Sequence, residues 1–194
     1  MQIGVPFIIR KFIHIITGGI FLLFVKISEH NFLPLTIFIF ITVSIDLARK
    51  YIPKLNEKFI LVFSPLLKPD EKNGQLSGAT TLWLSLYLIW ILFPENIFFM
   101  AGMIIVFADP LCALVGSFSG KTTFYHSKTI VGSFTFFILS FLILWGIGNL
   151  PVLDSMVLSF SFMILELFSP AILENFIVAM GSAILMNIYF FILK

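Results

Sequence analysis

Apolar residues run almost without interruption through seven stretches, roughly 5–27, 31–48, 78–93, 95–116, 129–148, 151–167 and 171–193, with charged and turn-forming residues between them. Backbone polar groups placed in hydrocarbon must be hydrogen-bonded within their own segment, so each stretch is predicted to be a helix. Several fall short of the ~20 residues of a simple span, and some contain an acidic residue; such helices are expected to tilt, break or end in a polar cavity. Segment 51–67 has a different pattern. Ile52, Leu55, Phe59 and Val62 recur at helical spacing, with Lys54, Glu57 and Lys58 elsewhere on the wheel, as in a helix lying along the membrane surface. The expected fold is all-α: a polytopic membrane bundle of about seven transmembrane helices plus one interfacial amphipathic helix. No repeat and no Gly/Ser- or Pro-rich linker divides the chain, so residues 1–194 are read as a single integral-membrane domain.

Composition excludes a soluble globule. Hydrophobic residues are 59% of the chain and charged residues 11%, Phe alone occurs 25 times, and the mean hydropathy is +1.08. That much apolar surface needs lipid as its surrounding phase. A net charge of +2, scattered along the chain, gives no footprint for a nucleic-acid partner. The single Cys112 has no companion for a disulfide or a zinc site. Arg10 and Lys11 precede the first apolar run as in a signal peptide, but no small-x-small cleavage site follows, and the run is read as a retained first span.

Charge also predicts orientation. With the N-terminus in the cytoplasm, ten basic residues fall on that side (Arg10, Lys11, Arg49, Lys50, Lys54, Lys58, Lys68, Lys72, Lys121, Lys128) and only Lys26 and Lys194 on the other. The bias places the N-terminus in the cytoplasm and the C-terminus opposite.

A charge at membrane depth costs at least ~2.5–3.5 kcal/mol, so each one needs a partner or a role. Asp109 is the clearest case, with Pro110 beside it expected to open the helix; a simple ion pair with a neighbouring helix is the bland alternative. After it come Gly116, Gly120 and Lys121, then Lys128, Thr129, Gly132 and Ser133 at the head of the next helix. Small residues allow close backbone approach, and helix-start N–H groups with Lys ammonium groups complement phosphate, although a membrane turn with ordinary basic residues has the same composition. The spacing is not that of a P-loop. Arg10, His14 and Gly18 share one helix face, with Lys11 adjacent. Arg10 and Lys11 suit phosphate or lipid headgroups, and His14 a hydrogen bond, a proton transfer or plain packing. Asp46 and Arg49 fit a local ion pair as well as a ligand; Asp70 and Glu71 read as a solvated charge run; Gly78 and Thr80 suit helix packing. Glu166 and Glu174 belong at the same inner boundary. Carboxylates beside phosphate-type donors imply a Mg²⁺–nucleotide site.

These residues resemble the polyprenol kinase family, which includes dolichol kinase, phytol kinase and the CTP-dependent diacylglycerol kinase, over most of the chain. The family's Arg-Lys-x-x-His-x-x-x-Gly opening is similar to Arg10, Lys11, His14 and Gly18; its Asp-x-x-Arg to Asp46 and Arg49; its Gly-Ala-Thr step to Gly78, Ala79 and Thr80. The most specific block is Asp109, Ala113, Gly116, Gly120 and Lys121, followed by Lys128-Thr129 and Gly132-Ser133. Val131 stands where many members have Glu, and Glu174-Asn175 where they have Asp-Asn. The resemblance implies a Mg²⁺-dependent lipid-alcohol kinase with CTP as donor. Its catalytic residues would be Asp109, Lys128 and His14, and Asp109, Glu166 and Glu174 would hold the metal. Arg10, Lys11, Gly116, Gly120, Lys121, Lys128, Thr129, Gly132 and Ser133 would bind nucleotide, supported by Asp46, Arg49, Gly78 and Thr80. The competing readings are a CTP-dependent cytidylyltransferase acting on a lipid phosphate and, from another class, a small ion-coupled transporter.

Overall fold

The computed structural model describes residues 4–28, 31–119, 123–125, 128–170 and 173–193, and among them the chain is helical almost throughout. Helix α1 is Val5–Ile27, α2 Phe32–Tyr51, α3 Pro53–Phe63, α4 the single turn Pro69–Lys72, and α5 Gly78–Leu92. Then come α6 (Glu95–Met103), α7 (Asp109–Ser119), α8 (Ile130–Leu142), α9 (Val152–Phe168) and α10 (Glu174–Leu193). A short antiparallel pairing joins Thr123–Tyr125 to Lys128–Thr129.

Local chemistry sets the boundaries. Pro53 opens α3, where its missing N–H costs nothing. Ser77 caps α5 by accepting from the Thr80 amide at 3.2 Å, and Thr129 caps α8 by accepting from the Gly132 amide at 3.1 Å. Gly74 takes a positive φ of 83° to turn the chain back toward α5.

Among the described residues, five helical stretches are long and apolar enough to cross a membrane: Val5–Ile27, Phe32–Tyr51, Glu95–Ser119, Ile130–Ile147 and Glu174–Ile192. Of the other two expected spans, α5 is an apolar helix of 15 residues and α9 a helix of 17. Segment 51–67 forms α3 and a 3₁₀ turn, Ser64–Leu66, and α3 buries none of its residues.

The stretch Glu95–Ser119 is the axis of the bundle: 72% of its most apolar window is buried, against 22% for α1 and for α2. Phe98, Ile104 and Ile105 from this axis pack with Leu82, Leu86, Phe136, Leu144, Phe162 and Met186 in one core. The helix was expected to open at Pro110. It instead widens into a π-helical turn over Ile104–Ala108, immediately before Asp109. Pro110 lacks an amide and its ring would crowd the carbonyl four residues back, on Val106, so the widening sits upstream of the proline.

Candidate active site at the charged end of the bundle

Asp109 is 1% exposed at the start of α7, and Lys11 from α1 reaches its Oδ2 with Nζ at 3.2 Å. One helical turn on, His14 places Nε2 3.0 Å from the carbonyl oxygen of Ile105, inside the π turn. Another turn along, Gly18 meets Val106 so closely that an added Cβ would lie 2.6 Å from Val106 Cγ2. The opening element of the sequence thus forms one stripe of α1 lying on residues 105–109. Arg10 is half-buried beside it and makes no ion pair among the described residues.

A second charged group faces this pair. Lys128, just before α8, bonds through Nζ to both Glu166 Oε1 at the end of α9 and Glu174 Oε1 at the start of α10. Burial disfavours the Lys128 ammonium, but the Glu174 and Glu166 carboxylates outweigh that penalty and hold its pKa above the ordinary lysine value. Lys128 also lies close enough to Asp109, and Glu174 to Lys11, to interact electrostatically, so the two groups form one alternating field of acids and bases.

Among the described residues, two buried carboxylate oxygens in this field, Asp109 Oδ1 and Glu166 Oε2, have no hydrogen-bond partner, nor has the buried Ser133 Oγ on α8, nor, away from the field, have Arg49 Nε and Nη1. An unpaired buried acceptor carries the full desolvation cost, so each such atom has capacity for a water, an ion or a ligand. Among the described residues no three His, Cys, Asp or Glu side chains cluster as a metal cage, so Asp109, Glu166 and Glu174 do not form a three-ligand set: Lys128 stands between the two glutamates. The two spare oxygens fit a looser arrangement, in which Mg²⁺ is held by one or two carboxylates and otherwise by substrate phosphates.

Two of the glycines expected at the nucleotide, Gly116 and Gly132, pack where two helices meet. An added Cβ on Gly116 would lie 2.5 Å from Thr129 Oγ1 and 3.1 Å from Gly132 Cα, and one on Gly132 3.2 Å from the Cys112 carbonyl oxygen. Gly116, Thr129 and Gly132 are therefore where α7 and α8 cross at close range. Gly120 and Lys121 lie outside the described residues. Val131, exposed on α8, brings no ligand.

The support residues form a separate lattice. Asp46 Oδ1 pairs with Arg49 Nη2 at 2.9 Å, and its Oδ2 accepts from the Ser77 amide at 2.8 Å. Arg49 also donates to the Gln75 carbonyl at 2.9 Å and lies against the Phe59 ring of α3, 3.8 Å from its centroid. Glu71, expected in a solvated loop, is 7% exposed; its Oε1 accepts from the Gly78 amide at 3.0 Å and its Oε2 from the Lys68 amide at 2.9 Å. The readable signal was its place three residues after Lys68, with Pro69 between, where an acid closes back on a helix start. Thr80 serves the Ser77 cap. Asn175, next to Glu174, donates to the Gly78 carbonyl at 3.1 Å and to Thr81 Oγ1 at 3.2 Å, joining the lattice to the charged field.

Against known proteins, no family model matches the chain, and no solved structure does. An uncharacterized protein of Rickettsia prowazekii (strain Madrid E) is 35% identical over 133 residues, covering 66% of this chain. The match spans 64% of that relative's own length, less than two thirds of it.

Proposed function

We propose that the chain is a membrane enzyme transferring the γ-phosphoryl group of CTP to a lipid alcohol of the polyprenol, phytol or diacylglycerol type, at a site open to the cytoplasm. The observation that carries this reading is the alternating field of Lys11, Asp109, Lys128, Glu166 and Glu174 with two buried carboxylate oxygens to spare. What supports the reading is that the spare groups here are carboxylate oxygens beside lysines, the combination that suits a metal-bound phosphate. The family resemblance of the same residues supplies CTP as the donor and the alcohol as the acceptor.

On this reading Asp109 and Glu166 hold Mg²⁺, which when bound neutralises phosphate charge. Lys11, Lys128 and Arg10 draw the phosphates in and steady the negative charge of the transferring group. The alcohol oxygen bonds to the γ-phosphorus as the bond to the β,γ-bridging oxygen breaks, leaving CDP. The hydroxyl proton passes to a carboxylate oxygen of the site and on to water. Catalysis of this kind rests on positioning and on fixed charge, which buried lysines held by carboxylates provide. Around the site, all seven long helices cross the bilayer with the N-terminus inside, the shorter α5 and α9 among them, and α3 lies along the inner leaflet with Leu61 and Val62 toward lipid.

Purified protein supplied with CTP and farnesol, phytol, a long polyprenol or diacylglycerol tests the proposal. The expected result is γ-phosphate label in the lipid product. Cytidine label in the lipid would make the chain a cytidylyltransferase, and CTP-independent ion flux into liposomes, abolished by Asp109→Asn, would make it a transporter.

A further inference from the structure

The histidine of the opening element is a half-buried titratable group that the mechanism above leaves unused. Its partner decides its chemistry. Ile105 offers a carbonyl oxygen, which only accepts, so His14 Nε2 at 3.0 Å must carry the hydrogen and donate it. Nε2 is thereby committed to the π turn, and Nδ1 is the ring's basic nitrogen. In a regular helix the Ile105 carbonyl would accept from the residue 109 amide; in the widened turn the amide of Asp109 bonds instead to Ile104. His14 thus satisfies a carbonyl that the irregularity sets free. Lys11 and Gly18, on the same stripe, grip the turn at Asp109 and Val106.

We infer that His14 is a positioning residue: with Lys11 and Gly18 it clasps the Ile104–Ala108 π turn and so fixes where Asp109 points. This assignment rests on the proposed phosphoryl transfer for its readout. It replaces the role in proton transfer that the sequence resemblance implies for His14. A donor is what the position requires, and a base is not.

Gln retains an N–H donor of similar reach and has no basic nitrogen, so His14→Gln separates the two roles. The assay is CTP-dependent phosphorylation of the best acceptor by protein reconstituted in nanodiscs, with helix content and melting temperature measured on each variant. His14→Gln is expected to stay within about threefold of wild-type kcat, since one neutral donor replaces another. His14→Ala frees the turn and is expected to lose about 100-fold, the scale of an ångström's misplacement of a reacting group. Gly18→Ala, which pushes α1 off Val106 without touching the ring, is expected to lower kcat as well. Combined with His14→Ala it should cost less than the product of the two single losses, because both release the same clasp. A folded His14→Gln that loses about 100-fold or more would identify His14 as a proton acceptor and overturn the inference. Strict multiplicativity of Gly18→Ala and His14→Ala would overturn it too. Wild-type protein with no transfer from CTP to any alcohol would instead remove the proposed function itself, leaving a distinct signature.

Discussion

Two buried networks in this chain pair acids with bases and differ in what they leave unpaired among the described residues: nitrogens of Arg49 in one, carboxylate oxygens in the other. In the lattice joining α2, α4 and α5, every carboxylate oxygen is occupied: Asp46 by Arg49 and Ser77, Glu71 by Gly78 and Lys68. In the field around α7, Asp109 and Glu166 each keep one buried oxygen without a partner. Three of the four partners in the first network are backbone amides, which any stable fold can supply. Those in the second are lysines distant in the chain, which satisfy one oxygen and leave the other. A saturated acid holds a fold together, whereas an acid with spare capacity is available to a ligand. The contrast separates the two groups where charge alone cannot.

Asp109→Asn attacks the open network at its centre. It is expected to cut phosphoryl transfer by about 10³-fold, the scale of one electrostatic contact aimed at a transition state, as measured by initial rates of lipid phosphorylation. Asp46→Asn attacks the network whose carboxylate oxygens are all occupied. Leaving Arg49 buried without its countercharge is expected to cost about 3–5 kcal/mol, read as a lower melting temperature in detergent, while the protein that stays folded keeps its rate. If Asp46→Asn abolished catalysis without loss of stability, the distinction between the networks would fail.

Smaller effects test the joints. Asn175→Ala removes both bonds from α10 to α5 and is expected to cost about 1–3 kcal/mol, with a modest fall in rate because Glu174 is adjacent. Gly116→Ala forces a methyl group against Thr129 and is expected to destabilise by about 1–3 kcal/mol through overpacking, with the nucleotide KM little changed once the protein is folded. A large rise in that KM would return Gly116 to the nucleotide. The smallest effect concerns pH. Because the folded pKa of Lys128 is raised, its contribution is fully present below the ordinary lysine value of about 10.4 and is lost only as pH rises through the folded value. Neither melting temperature nor rate should therefore titrate on Lys128 between about pH 6 and 9, where an ordinary lysine is also charged. A change that disappears in Lys128→Met would contradict this.

Much of the fold was legible in the chain because its signals are local. Apolar runs mark helices wherever backbone groups must bond within their own segment, and Pro53, Ser77 and Thr129 mark where helices begin. The site was half legible. Asp109, Lys11 and Lys128 stood out because charge is scarce in so apolar a sequence. Glu71 did not, since Asp70, Glu71 and Lys72 together look like any wet loop until the chain folds back to bring the Gly78 amide against it. Gly116 and Gly132 pointed to a phosphate and turned out to face each other, because close approach to a ligand and close approach between helices make the same demand on a side chain.

Hydropathy and the spacing of charge, read along one dimension, determined that this protein is a helical membrane bundle and which residues are too costly to be idle. Tertiary structure alone decided how those residues pair: Lys11 with Asp109, 98 positions apart, and Lys128 with Glu166 and Glu174. Pairing depends on where helices cross and how far each is rotated. A single π turn shifts that rotation for every residue after it, and no local pattern encodes the sum.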